Sequence, residues 1–145
     1  MTKVSVDGRY CLHMIIGLGQ DICDARRIHK TIRRFGDRFV KRIFTELEQQ
    51  SCNSRLRRSE CFARRFAAKE AVSKALGTGF RKGVFWCDIS VINLPGGKPK
   101  IVLTGGALSI LNEMVPDECE PQIDLSLSDD SFLAHAIVII TAVQK

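Results

Sequence analysis

The order of hydrophobic periodicities along this chain predicts an α+β fold, a mostly antiparallel β-sheet with helices packed to one side. Three observations carry that expectation. An apolar, β-rich run (Met14–Leu18) comes first, a block of helical segments follows, and two strand pairs separated by one helix close the chain. A length of 145 residues fits one domain, and 45% hydrophobic with 26% charged residues can build a core. Residues 1–13 are polar, with no apolar signal run, and read as an N-terminal extension to a single domain spanning 14–145.

Met14–Leu18 reads as a buried strand ending at Asp21, with Gly17 and Gly19 allowing another backbone to approach. Asp24 is placed to cap an amphipathic helix in which Ile28 and Ile32 face inward and Arg26, Arg27, Lys30, Arg33 and Arg34 face outward. Gly36 ends it, and Asp37–Ile43 makes another short turn. Thr45 and Glu48 have capping-box spacing, which starts a helix over about 45–51. Ser59–Leu76 is the longest helix. Its Ala63, Ala67, Ala71 and Ala75, four apart, form a thin ridge against which another element can pack closely. Asp88–Leu94 and Lys100–Thr104 pair through a turn at Pro95–Lys98. A helix opens at Gly105-Gly106, and Pro116–Pro121 is a loop. Gln122–Ser128 and Leu133–Val143 are the final strands, the second so apolar that it reads as buried on both faces.

Charge divides the chain. Residues 1–85 carry 19 Lys/Arg against 8 Asp/Glu, and residues 86–145 carry 3 against 8. A basic half attracts nucleic acid, an acidic protein or a phosphorylated small molecule, and charge alone does not choose. No nucleic-acid-binding module and no aromatic interleaving accompany it. No segment is long and apolar enough to cross a membrane, Ala136–Val143 being the best candidate. The six cysteines contain no C-x-x-C pair and read as free thiols in a reducing cytoplasm.

Two acids stand out by position. Asp21 ends a glycine-bearing apolar strand, where it either caps the next helix or binds a ligand. Glu70 lies mid-helix among alanines, and spacing alone makes it a surface i,i+4 partner of Lys74. If the fold brings the two together, a carboxylate pair suits Mg²⁺, which favours oxygen ligands, keeps waters and holds phosphates. Arg65, Lys69 and Lys74 on the same helix would complement a pyrophosphate, unless they form a solvated basic face.

Three stretches resemble one family, the bacterial holo-[acyl-carrier-protein] synthases, which are small phosphopantetheinyl transferases. They are Ile16-Gly-Leu-Gly-Gln-Asp21-Ile with Arg27-Ile28; Arg65-Phe-Ala-Ala-Lys-Glu70-Ala-Val-Ser-Lys74-Ala-Leu-Gly-Thr-Gly79; and Gly97-Lys-Pro99 with Leu125–Asp129 and Ala134–Ile140. The second is the most specific, and the resemblance spans about residues 14–142.

The resemblance implies the 4′-phosphopantetheinyl transferase-like fold and a Mg²⁺-dependent reaction. The 4′-phosphopantetheine of coenzyme A passes to a serine of apo-acyl carrier protein, releasing adenosine 3′,5′-bisphosphate, in the service of fatty acid biosynthesis in the cytoplasm. It makes Asp21 and Glu70 the metal ligands, overriding the surface reading of Glu70, and adds Lys74 to them as catalytic. Arg65, Lys74, Lys98 and Pro99 become coenzyme A contacts, and Arg27, Arg38 and Arg42 carrier-protein contacts. It further implies a homotrimer with sites between subunits, and neither nucleic acid nor membrane as partner. One position departs from the pattern: many members have histidine where this chain has Asp129. Two other readings are a non-catalytic binder that kept the fold, against which Asp21, Glu70 and Lys74 argue, and a nucleic-acid-binding protein, supported by the basic half alone.

Overall fold

The computed structural model describes residues 2–6 and 9–145, with side chains from residue 13 onward. Strands β1 (Thr2–Val6), β2 (Arg9–Asp24), β5 (Cys119–Asp130) and β6 (Leu133–Gln144) form one antiparallel sheet in the order β1-β2-β6-β5. Helices α1 (Ala25–Phe35), α2 (Asp37–Ile43), α3 (Glu46–Asn53) and α4 (Arg58–Ala75) follow β2. Strands β3 (Ile89–Asn93) and β4 (Pro99–Leu103) make a separate hairpin, followed by α5 (Gly105–Met114). This is the α+β arrangement the sequence implies.

The α4 helix lies across β2 and β6, running opposite in direction to β2. Its alanine ridge is wholly or almost wholly buried, and the reason for the small residues is visible on both sides. A Cβ on Gly17 would collide with the carbonyl of Ala75, and one on Gly19 with the carbonyl of Ala71. The two backbones therefore touch with no side chain between them. Gly19→Ala is expected to destabilise the fold by about 1–3 kcal/mol through overpacking, read as a lower urea midpoint. An unchanged midpoint would show that helix and strand are not in this contact.

Several expectations need correction. First, the opening strand is longer than Met14–Leu18: β2 runs from Arg9 to Asp24, with a bulge between Ile15 and Gly17. Second, β6 is buried on one face. Ala134, Ala136, Val138, Ile140 and Ala142 are buried on the side of α4, whereas Leu133 and Ile137 on the other face stay exposed, with no element among the described residues covering them. Third, β5 starts inside the expected Pro116–Pro121 loop. It is an edge strand, where a proline's missing N–H costs no ladder bond. Fourth, Cys52 at the end of α3 and Cys61 in α4 form a disulfide, so they are not free thiols.

The helix ends behave as their sequences suggest. Asp24 Oδ1 accepts from the Arg26 N–H at 2.9 Å and caps α1. Thr45 and Glu48 make the reciprocal capping box of α3. Asp37–Ile43 is a full helix, not a turn.

Candidate active site

Pleating directs Gly17, Gly19, Asp21 and Cys23 of β2 towards α4. The glycines let the helix sit against the strand, and Asp21 is the first side chain beyond them that reaches out beside it. From α4, Lys74 meets it: Lys74 Nζ donates to Asp21 Oδ1 and to the Gln20 carbonyl, each at 2.9 Å. Glu70, one turn earlier on α4, is close enough for Asp21 to act on its titration. Three charged groups from two elements thus share one locality. Lys74 takes Asp21 as its partner, in place of the i,i+4 pairing with Glu70 that spacing suggests.

Burial, and then the Asp21 carboxylate, push the Glu70 carboxyl above its ordinary 4.5, while Lys74 pulls the other way. The neighbouring Cys23 thiol is pushed up to about 11, mostly by burial and then by Asp21. The site therefore carries surplus negative charge. Lys74 is half exposed and Asp21 mostly buried, with side-chain exposures of 52% and 18%, so water screens the pair from the lysine side and its contribution to stability is modest. An incoming cation or phosphate can displace it cheaply.

A raised carboxyl pKa means that the folded chain holds that proton more tightly than the unfolded one. Stability therefore falls as pH rises through the folded value of Glu70. Glu70→Gln lacks this loss. The variant is expected to be at least as stable as the parent at pH 7.5, with the difference closing as pH drops towards about 4.5. Urea denaturation of the two proteins at both pH values checks the sign.

The remaining candidates occupy other surfaces. Arg65, though on α4, faces away from Asp21 and is buried. Its Nη2 donates to Ser51 Oγ at 3.0 Å and to Asn93 Oδ1 at 3.4 Å, its Nη1 donates to Cys61 Sγ, and its Nε has no partner among the described residues. Asn93 in turn donates to the Gly97 carbonyl, so Arg65 stands beside the β3–β4 turn that carries exposed Lys98 and half-buried Pro99. Arg27, Arg38 and Arg42 are exposed on α1 and α2. Asp129 is held by Arg64 at 3.1 Å.

Lys69 is the clearest departure from the basic-face reading. It has no solvent exposure and pairs with the equally buried Glu48 at 2.8 Å, while also donating to the Trp86 and Ile89 carbonyls. It is unavailable to a pyrophosphate. No signal in the sequence marks this pair, because Glu48 already had a local role as a capping residue.

Residues 17–124 match the family described as the 4′-phosphopantetheinyl transferase superfamily. The chain is 57% identical over 129 residues to the holo-[acyl-carrier-protein] synthase of Azorhizobium caulinodans, covering 89% of this chain and 95% of that protein. Identity to the Parvibaculum lavamentivorans protein of the same name is also 57%, over 132 residues, covering 91% and 99%. Among solved structures, the Neisseria meningitidis holo-[acyl-carrier-protein] synthase superposes with a TM-score of 0.76 at 35% identity, covering 88% of this chain and 98% of that one. The Helicobacter pylori enzyme in complex with coenzyme A gives 0.72 at 30% identity, covering 85% and 98%. The glycine-bearing strand, the alanine-ridged helix and the acids at their junction thus belong to a member of the 4′-phosphopantetheinyl transferase superfamily, in its holo-[acyl-carrier-protein] synthase branch.

Proposed function

We propose that this chain transfers the 4′-phosphopantetheine group from coenzyme A to a serine of apo-acyl carrier protein, releasing adenosine 3′,5′-bisphosphate. The observation that supports it most is the meeting of Asp21, Glu70 and Lys74 at the strand–helix junction. The names of the relatives and the coenzyme A-bound Helicobacter pylori structure point the same way. Following the family resemblance, we assign the reaction to the cytoplasm and to fatty acid biosynthesis.

The donor set fits magnesium. Two carboxylates that crowd one another gain from a shared hard cation, and no cluster of three or more His, Cys, Asp or Glu suited to a metal occurs among the described residues. A cation held by Asp21 and Glu70 would keep positions for water and phosphate oxygens, as magnesium does. When bound, it would neutralise charge on the diphosphate.

The chain's own groups supply the rest. Lys74, already at the junction, offers a mobile point charge to a phosphate oxygen once it leaves Asp21. Glu70, at the junction beside Asp21, is the chain's own candidate acceptor for the serine proton. Arg65, Lys98 and Pro99 surround the β3–β4 turn, a second region suited to the nucleotide end of a long co-substrate. Arg27, Arg38 and Arg42 offer counter-charges to an acidic carrier protein.

A homotrimer with sites shared between subunits is part of the same proposal. Leu18, Ile22, Leu133 and Ile137 lie on the sheet face opposite α4 and are exposed in the single chain. A contiguous apolar face of this kind is what association between copies would cover.

The test is mass spectrometry of apo-acyl carrier protein incubated with coenzyme A and Mg²⁺. The expected gain is about 340 Da, the mass of the transferred group. An unshifted carrier protein with coenzyme A bound would indicate the non-catalytic reading instead.

A further inference from the structure

The Cys52–Cys61 disulfide ties the end of α3 to the first turn of α4 and lies against Arg65. Arg65 Nη1 donates to Cys61 Sγ at 3.0 Å, and Nη2 donates to Ser51 Oγ, beside Cys52, at 3.0 Å. Arg65 is only 5% exposed, and among the described residues its Nε has no partner and no carboxylate forms an ion pair with it. Burial presses its ionisation down, and the Arg55 and Arg64 cations add to that. Glu48 opposes them from a distance but is committed to Lys69. A buried cation with a spare N–H and no counter-ion suits an incoming anion.

The sulfurs are part of that balance. A disulfide is neutral, so it leaves the Arg65 charge free for another anion. Reduction by a small dithiol changes this. One thiolate of the dithiol attacks Cys52 Sγ, the Cys52–Cys61 bond breaks, and Cys61 leaves as a thiolate beside the guanidinium that stabilises it. The dithiol's second sulfur then closes on the first, releasing Cys52, which takes its proton, and leaving the dithiol oxidised to a cyclic disulfide. Both cysteines are buried, but residues 53–57 between them are exposed, so exchange follows opening of that loop. The new thiolate pairs with Arg65, each offsetting the other's burial, and the cation is no longer available elsewhere.

We propose that Cys52 and Cys61 form a thiol–disulfide switch on coenzyme A binding: the disulfide form holds the nucleotide end tightly, and the dithiol form holds it weakly. This rests on the transferase reading above, which places Arg65, Lys98 and Pro99 at that end. Two effects run in the same direction. The Cys61 thiolate cancels the Arg65 charge, and freeing α3 from α4 loosens Ser51, one of the guanidinium's partners. Asn93, another partner, donates to the Gly97 carbonyl in the turn that carries Lys98, so the disturbance reaches that lysine as well. The Asp21–Glu70 junction takes no part, because Arg65 faces away from it.

Adenosine 3′,5′-bisphosphate is the probe, because it carries the nucleotide end and no thiol of its own. Its binding is measured by calorimetry before and after reduction with excess dithiothreitol, with thermal melting of each form. Reduction of the parent is expected to weaken binding about tenfold, the loss of one charge-assisted contact, and re-oxidation restores it. Cys52→Ser leaves a permanent thiol at Cys61 and should bind as weakly as the reduced parent. Cys61→Ser removes the sulfur charge and should keep most of the affinity. Neither variant responds to reductant. Both lose the same bridge, so a purely structural disulfide would weaken them alike, and that result overturns the proposal. Equal affinity of the oxidised and reduced parent overturns it too, as does a reduced parent that is unfolded at the assay temperature. Absence of probe binding in both forms removes the nucleotide site and the switch with it. Probe binding that follows the redox state, without any mass gain of carrier protein, keeps the switch and removes the transferase reading alone.

Discussion

Lys69→Met is expected to destabilise the chain by about 3–5 kcal/mol, the usual cost of leaving one member of a buried ion pair uncompensated. Lys69 and Glu48 have no solvent exposure, and each is fully engaged. The ammonium serves Glu48 and the Trp86 and Ile89 carbonyls. The carboxylate accepts from the Thr45 and Val91 N–H groups at 2.8 Å each. Burial pushes the Lys69 ammonium down and Glu48 pulls it back up, so removing either partner strands the other. Five pieces of chain meet here: α3 and its cap, α4, the turn before β3, and β3 itself. Against a total stability of about 5–15 kcal/mol, the loss is large. Adding Glu48→Leu to Lys69→Met removes the stranded carboxylate but leaves the Thr45 and Val91 N–H groups unpaired. The double variant should therefore fall between Lys69→Met and the parent in urea unfolding. A Lys69→Met midpoint equal to that of the parent would show that the pair is not buried as described.

That pair also marks where sequence reasoning stopped. Spacings within one element were readable, because helix and strand geometry fix who neighbours whom: Asp24 as cap, Thr45 with Glu48 as capping box, and the Ala63–Ala75 ridge. Even the contact partner of the ridge was half visible, since Gly17 and Gly19 supply the matching absence of side chains. Contacts between elements were not. Nothing local says that Lys69 turns inward while Lys74 turns to Asp21, for both are lysines on one alanine-rich helix. Their roles follow from the 140° between residues five apart at 100° per residue and from where α3 and β2 lie around that helix. Cys52 and Cys61 were equally opaque, since their proximity is created by the return of the chain from α3 to α4. The open face of β6 was misread because an apolar run looks the same whether its second face meets the same chain or another.

The candidate acids divide the same way. The resemblance in the Arg65–Gly79 stretch drew attention to Glu70, but spacing by itself favoured a surface pair with Lys74. What changes the balance is the strand: Asp21 emerges just beyond the glycines that let α4 approach, takes Lys74 for itself, and leaves Glu70 beside a second carboxylate.

Glu70→Gln is accordingly expected to lower transfer by about 10²–10³-fold, or about 2.7–4 kcal/mol of barrier, while leaving the fold at least as stable at neutral pH. The two expectations have one origin. In the free protein, the Glu70 charge is held in a half-buried position next to Asp21, which raises its pKa and costs stability. A magnesium ion with a diphosphate would turn that cost into binding, because the ion gains from each anionic oxygen. Glutamine keeps the shape and removes the charge, so the penalty and the benefit vanish together. The Lys74–Asp21 pair survives the substitution and keeps the junction assembled. Three measurements separate this from simple damage: urea stability at pH 7.5, the thermal shift produced by Mg²⁺ with coenzyme A, and the rate of carrier-protein mass gain. The variant should keep the first and lose most of the second and third. Transfer within threefold of the parent would take Glu70 out of the mechanism. A fall in urea stability matching the fall in rate would make it a structural residue, with the metal held elsewhere.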